Sequence, residues 1–390
     1  MLIGIVGGGI SGLYCALKLS PKHKVILIDE RDYLGGRIKT HESHVELGAA
    51  RFNKTHTFLF DLIKRYHLHA IKLRNNYDYM LTNEQCVDVY KDANKAFDTC
   101  IQNIINKTNI NDALRNISFY DHCKHIIGKK ETDLLVSVFG YYTEIKELNA
   151  YDAIQTFQKD FISTDYYVLE EGLSTLCDAM AREIVQNGAI IYNNEKVIDA
   201  TPHMLTTTKR TIKNIDKIIF CTKAKQMSAF PMLNDYSHSL YHAPLLRIYA
   251  KYKTPWFKDL NRITTNNVLR QIIPIDVESG MIMVSYSDGK DTEPFIPLLK
   301  KEKSLIKMIQ SNLTLLFPDL DIPYPDYIIP YFWEIGTHAW KPGVNSDQIY
   351  KEVIHPLENV YVCGEAYSKQ QAWMEGGLKM AQEVITKIEI

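Results

Sequence analysis

The chain lacks any apolar run approaching the roughly twenty residues that a membrane span requires. Its first predicted strand begins at Leu2, so no cleavable leader is expected either. Together these point to a soluble, cytoplasmic protein with no membrane anchor. It also lacks a charge imbalance: Lys+Arg 45 stand against Asp+Glu 46, a net charge of −1, which gives no electrostatic case for nucleic acid or an anionic membrane as partner. Paired cysteines are missing too. The seven cysteines, Cys15, Cys86, Cys100, Cys123, Cys177, Cys221 and Cys363, are odd in number, scattered, and form no C-x-x-C. That pattern argues for reduced thiols rather than a disulfide framework or a zinc site. The stretch Asp121, His122, Cys123 and His125 has the spacing of no common zinc set, so no metal is expected.

What remains is an ordinary globular composition, 46% apolar and 23% charged, on 390 residues, a length that suits two interleaved domains. Its organising stretch is "LIGIVGGGISGLYCALKL", Leu2 to Leu19. Leu2 to Val6 reads as a buried parallel strand, and Leu13 to Leu19 carries the apolar spacing of a helix. Between them Gly7, Gly9 and Gly12 form G-x-G-x-x-G. The first glycine serves the tight turn, the second lets backbone approach a pyrophosphate, and the third lets helix and strand pack closely. N–H groups and the positive end of the helix dipole then face the phosphates. A second apolar strand, Lys24 to Ile28, ends in Asp29, roughly twenty residues on, where an acid holds the adenosine ribose hydroxyls. There is no second G-x-G-x-x-G, hence no sign of a separate NAD(P)H domain.

Beyond Asp29, "ERDYLGGRIKT" places Gly35 and Gly36 in another tight turn, with Arg37 positioned to reach back to the pyrophosphate as a charge-assisted donor. A solvent-facing arginine on a common turn is the alternative. "HVELGAARF", His44 to Phe52, reads as a strand and turn. Gly48, Ala49 and Ala50 would let backbone pass close to a flat ring, with Arg51 as a fixed cation at its edge.

These three stretches together resemble the N-terminal third of the flavin-dependent amine oxidase family, which includes monoamine, polyamine and L-amino-acid oxidases. The resemblance implies an α/β fold, a Rossmann-like FAD-binding domain with an interleaved α+β substrate domain. The FAD-binding domain would comprise residues 1–76, 166–242 and 351–390, and the substrate domain 77–165 and 243–350. Asp29 takes the place of the family's usual Glu, one methylene shorter, with Arg31 as the neighbouring cofactor contact; Ser11 and Gly36 fall among the implied contacts as well. From about Tyr77 to Gln158 the chain is Asn- and Lys-rich and reads as helical, the first half of the substrate domain.

The likeness returns at "YYVLEEGLSTLCDAMAREIVQNGAIIYNNEKVIDA". Gly172 opens a helix, Leu173 to Val185, that leads to a strand, Ala189 to Tyr192, and Val197 matches the family's adenine contact through its backbone. Asp216 to Thr222 resembles the strand closing the nucleotide domain. In "APLLRIYAKYKTPWF", Arg247 stands where the family usually has a lysine that holds a water against flavin N5, and a guanidinium does not readily deprotonate. "WEIGTHAWKPG" aligns with a loop that normally carries a tyrosine facing the flavin. Here His338 takes that place, with Trp340 two residues on, and Thr337 replaces the cysteine that bonds the flavin in monoamine oxidases, which implies non-covalent FAD. Finally, "NVYVCGEAYSKQQAWMEGGLKMAQEVI" supplies a strand, Val360 to Cys363, then Gly364 and Glu365 on the ribityl or phosphate side. Trp373 follows as a cage aromatic, and Met374 at a helix start near the flavin's pyrimidine edge.

The activity so implied is hydride transfer from the carbon next to an amine to flavin N5, giving an imine and hydrogen peroxide with O2 as acceptor. Arg247, His338 and Trp373 would serve catalysis, and Arg51 and Trp340 the substrate. Arg51 matches the arginine that grips the carboxylate in L-amino-acid oxidases, although the tyrosine partner of those enzymes has Ile273 as its nearest match. Three other readings stay open at this point: an amino-acid oxidase, a C–C desaturase or sugar-isomerising flavoenzyme of the same fold, and a non-catalytic FAD-binding scaffold.

Overall fold

Leu2, Ile3, Ile5 and Val6 make a near-continuous apolar run, the pattern of a strand buried on both faces of a parallel sheet. In a computed structural model that describes residues 1–74, 76–83, 86–162, 165–233 and 236–389, they form β1 (Leu2–Val6). The chain divides into two compact units: Met1–Leu73, Thr164–Tyr241 and Val344–Ile390 make the first, and Arg74–Ser163 with His242–Gly343 the second.

In the first unit β1 leads into α1 (Ile10–Leu19) and β2 (Lys24–Ile28). The helix α2 (Thr57–Arg65) follows, then α3 (Leu173–Gln186), β3 (Ile190–Tyr192), β4 (Lys217–Phe220), β5 (Val360–Val362) and α4 (Met374–Glu389). The five strands form one all-parallel sheet in the order β5-β4-β1-β2-β3. Only Lys18 of α1 is exposed, because the helix is packed by α3 and α4 as well as by the sheet. α1 starts three residues before the stretch whose apolar spacing announced it, since it begins directly at the glycine turn. Val197 lies apart from the parallel sheet, on the first strand of an antiparallel meander, Val197–Thr201, Met204–Thr207 and Thr211–Lys213. The stretch from His44 to Phe52 is less regular than the strand and turn expected there. A single bridge joins Thr40 to Glu46, and strand pairing begins only at Phe52, which pairs with Tyr167.

A buried carboxylate joins two of these helices. Glu375, in the first turn of α4, is fully buried and accepts hydrogen bonds from the Phe58 and Leu59 amides at 3.2 and 3.1 Å. Those amides belong to the first turn of α2, whose N-cap residue His56 makes no side-chain cap. The acid therefore satisfies N–H groups that the helix leaves open, and it complements the positive end of the dipole. Lys379, one turn on, balances the charge at 3.3 Å.

The second unit is built on a seven-stranded sheet. Its order is Tyr327–Trp340, Leu240–Lys251, Met281–Asp288, Gln271–Asp276, Arg262–Thr265, Tyr77–Thr82 and Val87–Tyr90. The helix Glu302–Leu316 presents Leu305, Ile309 and Leu313 to a core that includes Leu246, Ile248 and Val284 of the sheet. The antiparallel strands Tyr77–Thr82 and Val87–Tyr90 correct the helical reading there. Their polar residues suit a sheet edge, and helices begin only at Ala93. His338 and Trp340 sit on a fourteen-residue strand, Tyr327–Trp340, not on a loop.

Replacing Glu375 by Ala is expected to cost about 2–4 kcal/mol, because the Phe58 and Leu59 N–H groups lose their acceptor and Lys379 its carboxylate partner. Thermal melting of the variant should fall by several degrees, with Glu375→Gln losing roughly half as much because it keeps one acceptor oxygen. Equal melting of Glu375→Ala and the parent chain would contradict this role.

Candidate functional site

The turn between β1 and α1 is shaped by the atoms its glycines omit. A Cβ on Gly12 would lie 1.9 Å from the Gly7 carbonyl oxygen, so helix and turn can meet this closely only with no side chain there. A Cβ on Gly9 would meet nothing nearer than the Gly35 carbonyl at 4.0 Å. Space therefore opens over Gly9, the N-cap of α1, which has no side-chain cap and no acid in the first turn of its helix. Such an end leaves donors and positive potential for an anion.

The second glycine turn is laid against the first. Gly9 and Gly35 form a parallel bridge, and the Gly35 amide donates to the Gly8 carbonyl at 2.8 Å. Asp29 ties both turns to the end of β2. Its carboxylate accepts from the Gly8 amide at 2.6 Å through one oxygen and from the Arg31 amide at 2.8 Å through the other. Burial raises its pKa above the usual carboxylate range, against the lowering effect of those two amides. The shorter side chain at this position explains the close hold on the loop, and each oxygen keeps one lone pair for a hydroxyl donor. Arg31 turns its guanidinium to the Gly36 carbonyl.

The C-terminal piece joins through an ion pair. Arg37 Nη1 lies 2.7 Å from Glu365 Oε2, while the other carboxylate oxygen accepts from the Ala372 amide at 2.8 Å. Ala372 has φ 64°, a left-handed conformation that is uncommon for a residue with a Cβ, and it immediately precedes Trp373. Glu365 thus holds the bend that sets Trp373. Of the remaining positions, Ser11 is buried where a Cβ on Gly377 would meet its Oγ at 2.5 Å, and Gly364 is half-buried with open space around it. Val197 and Met374 are buried, and the Ala49 amide donates to the Arg37 carbonyl at 3.0 Å, beside buried Gly48 and half-buried Ala50.

Arg51 and Trp373 share one neighbour, Tyr166, which the sequence reading passes over. The Arg51 guanidinium lies 4.6 Å from the centroid of the Tyr166 ring, and Tyr166 stacks on Trp373 at 6.1 Å and 10°. Fully buried His56 meets the indole edge-on at 5.0 Å. Tyr166 stands just ahead of the Gly172 helix, in "YYVLEEG"; two adjacent tyrosines there were the available signal. Thr222 was also missed. Its methyl borders Gly7, and its hydroxyl is buried with no hydrogen-bond partner among the described residues.

Arg247, His338 and Trp340 lie in the second unit, all buried. Arg247 pairs across the strand with Tyr286, and its guanidinium is 4.6 Å from that ring's centroid. His338 meets His242 edge-on at 5.3 Å. The Trp340 carbonyl accepts from the Asn149 amide at 2.9 Å, which fixes the end of its strand.

The parallel sheet, the turn open over Gly9 and the acid at the end of β2 define a dinucleotide-binding α/β protein. The chain belongs to the family of flavin-containing amine oxidoreductases, whose model matches residues 10–385. Among solved structures it is similar to a cofactor-binding redesign of putrescine oxidase, with a TM-score of 0.79, 14% identity, and coverage of 99% of this chain and 98% of that one. Among curated proteins it is similar to an L-amino-acid oxidase of Vipera ammodytes ammodytes, 23% identical over 265 residues, 57% of this chain and 54% of the relative. It also matches an uncharacterized protein of Acanthamoeba polyphaga mimivirus, 38% identical over 76 residues, 17% of this chain and 15% of the relative. The chain thus spans about half or less of the curated relatives it matches.

The residues present fit the family's flavin dinucleotide, for which the space over Gly9 and the unpartnered Thr222 hydroxyl are the observations that count. Two substitutions separate packing from binding. Gly12→Ala is expected to destabilise the chain by about 3 kcal/mol or more, because the turn must move. Gly9→Ala should leave far-UV circular dichroism and melting nearly unchanged yet weaken FAD retention at least about tenfold. Unaltered FAD affinity in folded Gly9→Ala would mean that the ligand does not approach this turn.

Proposed function

We propose that the chain is an FAD-dependent oxidase of small-molecule amines. The observation that carries this reading is that Tyr166 holds Arg51 against its ring and stacks with Trp373 within the same unit as the glycine turn, Asp29 and the Arg37–Glu365 pair. FAD, when bound, supplies a two-electron acceptor for a hydride leaving the carbon next to the amine, and the resulting imine is hydrolysed by water.

The chain's own residues divide the remaining work. Gly7, Gly9, Ser11 and Gly12 take the pyrophosphate at the α1 N-terminus, with Arg37 as a further cation, and Asp29 with Arg31 takes the ribose side. Val197 meets the adenine through its backbone. Gly36, Gly48, Ala49 and Ala50 admit the close approach of the cofactor, and Gly364 with Glu365 serves its ribityl or phosphate side. Trp373 in the first unit, and His338 and Trp340 in the second, are the aromatic residues assigned to the substrate, and Met374 opens the helix whose positive end favours negative charge. The first unit corresponds in this reading to the FAD-binding domain and the second to the substrate domain. Thr337 at the linkage position supports FAD held without a covalent bond, oxygen is the acceptor proposed, and the absence, among the described residues, of a helix long and apolar enough to cross a membrane is compatible with a cytoplasmic setting.

A second reading, oxidation of an amine that also carries a carboxylate, is favoured by the orientation of Arg51. Held over the Tyr166 face, its fork is ordered before any anion arrives, so little side-chain entropy is lost on binding one. The Vipera relative's name points the same way.

Anaerobic mixing with a panel of mono-, poly- and amino-acid amines should bleach the flavin for at least one class, whereas bleaching only by substrates without a C–N bond to oxidise would sink the proposal. On the carboxylate reading, Arg51→Ala should lower kcat/KM for amino acids about 10- to 100-fold, the worth of a charged hydrogen-bonded pair. FAD content and turnover of carboxylate-free amines should stay as they were; an equal loss on both substrate classes would count against carboxylate binding.

At position 247 a lysine could exchange protons and hold water where the guanidinium cannot. Arg247→Lys is therefore expected to speed reoxidation of the reduced flavin by oxygen in stopped flow. An unchanged rate would mean that this side chain takes no part in the oxygen reaction.

A further inference from the structure

Three cysteines that are far apart in the sequence meet within the first unit. Cys15 lies on α1, Cys221 follows the last residue of β4, and Cys363 follows the last residue of β5. Cys15 and Cys363 are buried and Cys221 is half-buried. The Cys221 and Cys363 sulfurs are 3.4 Å apart and those of Cys15 and Cys363 3.7 Å, with all three within 4.8 Å of one another.

These separations decide between kinds of ligand. Three sulfurs at about 2.3 Å from one cation in a trigonal plane lie ~4.0 Å apart, so each pair is already within a few tenths of an ångström to under an ångström of that spacing. A structural zinc ion would take a fourth ligand. Among the described residues no histidine, cysteine, aspartate or glutamate joins the three sulfurs to supply one. Soft thiolates without a fourth donor suit monovalent copper.

We infer that Cys15, Cys221 and Cys363 form a three-coordinate site for a soft monovalent cation of the copper(I) class. Binding brings in one cation, expels the protons of the thiols that coordinate it, and leaves the oxidation state of the metal unchanged. Because the ligands come from α1 and from the ends of two neighbouring strands, an ion there ties the helix to the sheet beneath the glycine turn; a Cβ on Gly12 would lie 3.4 Å from that of Cys221. Occupancy is therefore expected to raise the melting temperature of the whole chain.

The test uses the purified full chain under anaerobic reducing conditions, loaded with a cuprous acetonitrile complex and challenged with the coloured copper(I) chelator bicinchoninate. One equivalent per chain should be retained, melting should shift upward, and X-ray absorption at the copper edge should report three sulfur ligands. Cys221→Ser, altered at the half-buried member, should lose retention at least tenfold, whereas Cys86→Ser, at an exposed thiol elsewhere, should retain as the parent does. The sulfur count needs no variant and stands even if a serine variant fails to fold. Two sulfurs, nitrogen or oxygen ligands, no retained copper, or equal retention by folded Cys221→Ser would each overturn the inference, as would a Cys221–Cys363 disulfide formed in place of metal binding.

Discussion

The architecture of the first unit depends on one close approach, that of Gly12 to the Gly7 carbonyl, where a side chain would stand 1.9 Å from the oxygen. Because that contact is open only to glycine, α1 can begin at the turn itself and aim its N-terminal amides at the space over Gly9. β2 then runs beside β1 and delivers Asp29 to the same place, and its carboxylate clasps Gly8. The local chain of causes is short, which is why so much of the site follows from so few residues.

Charge then links what the turn cannot reach. Arg37 and Glu365 are 328 positions apart, yet they pair at 2.7 Å with only a quarter and a tenth of their side chains exposed. Such a pair is weak evidence for stability, since burial costs each charge part of its hydration. Its value here is positional: the second carboxylate oxygen fixes Ala372 in an uncommon conformation and so sets Trp373 against Tyr166. Glu375, two residues further on, repeats the device by closing the open end of α2. The C-terminal segment thus orders the N-terminal one through two acids rather than through apolar burial alone.

What could be read in the sequence was whatever has a short range. The strand Lys24–Ile28 ends where its apolar run ends, and the order strand, glycine turn, helix, strand, acid needs no distant contact to be recognised. The misreadings have physical causes. The strands Tyr77–Thr82 and Val87–Tyr90 are read together with the polar helical region that follows them, because the partner that places them in a sheet, Arg262–Thr265, lies far along the chain. Tyr166 meets Arg51 and Trp373 only through the fold, and no local pattern marks that meeting. The thiol cluster has no spacing signature at all, because its members are brought together by strand order.

The central proposal is that the turn over Gly9 and the residues gathered around it hold a flavin dinucleotide without a covalent bond. The most direct measurement is the visible absorption spectrum of the purified full chain, before and after acid precipitation, with FAD supplied in excess to any colourless fraction. The account predicts a yellow protein with one flavin per chain that passes wholly into the supernatant as FAD. A chain that stays colourless with FAD present, or a flavin that remains with the precipitate, would contradict it.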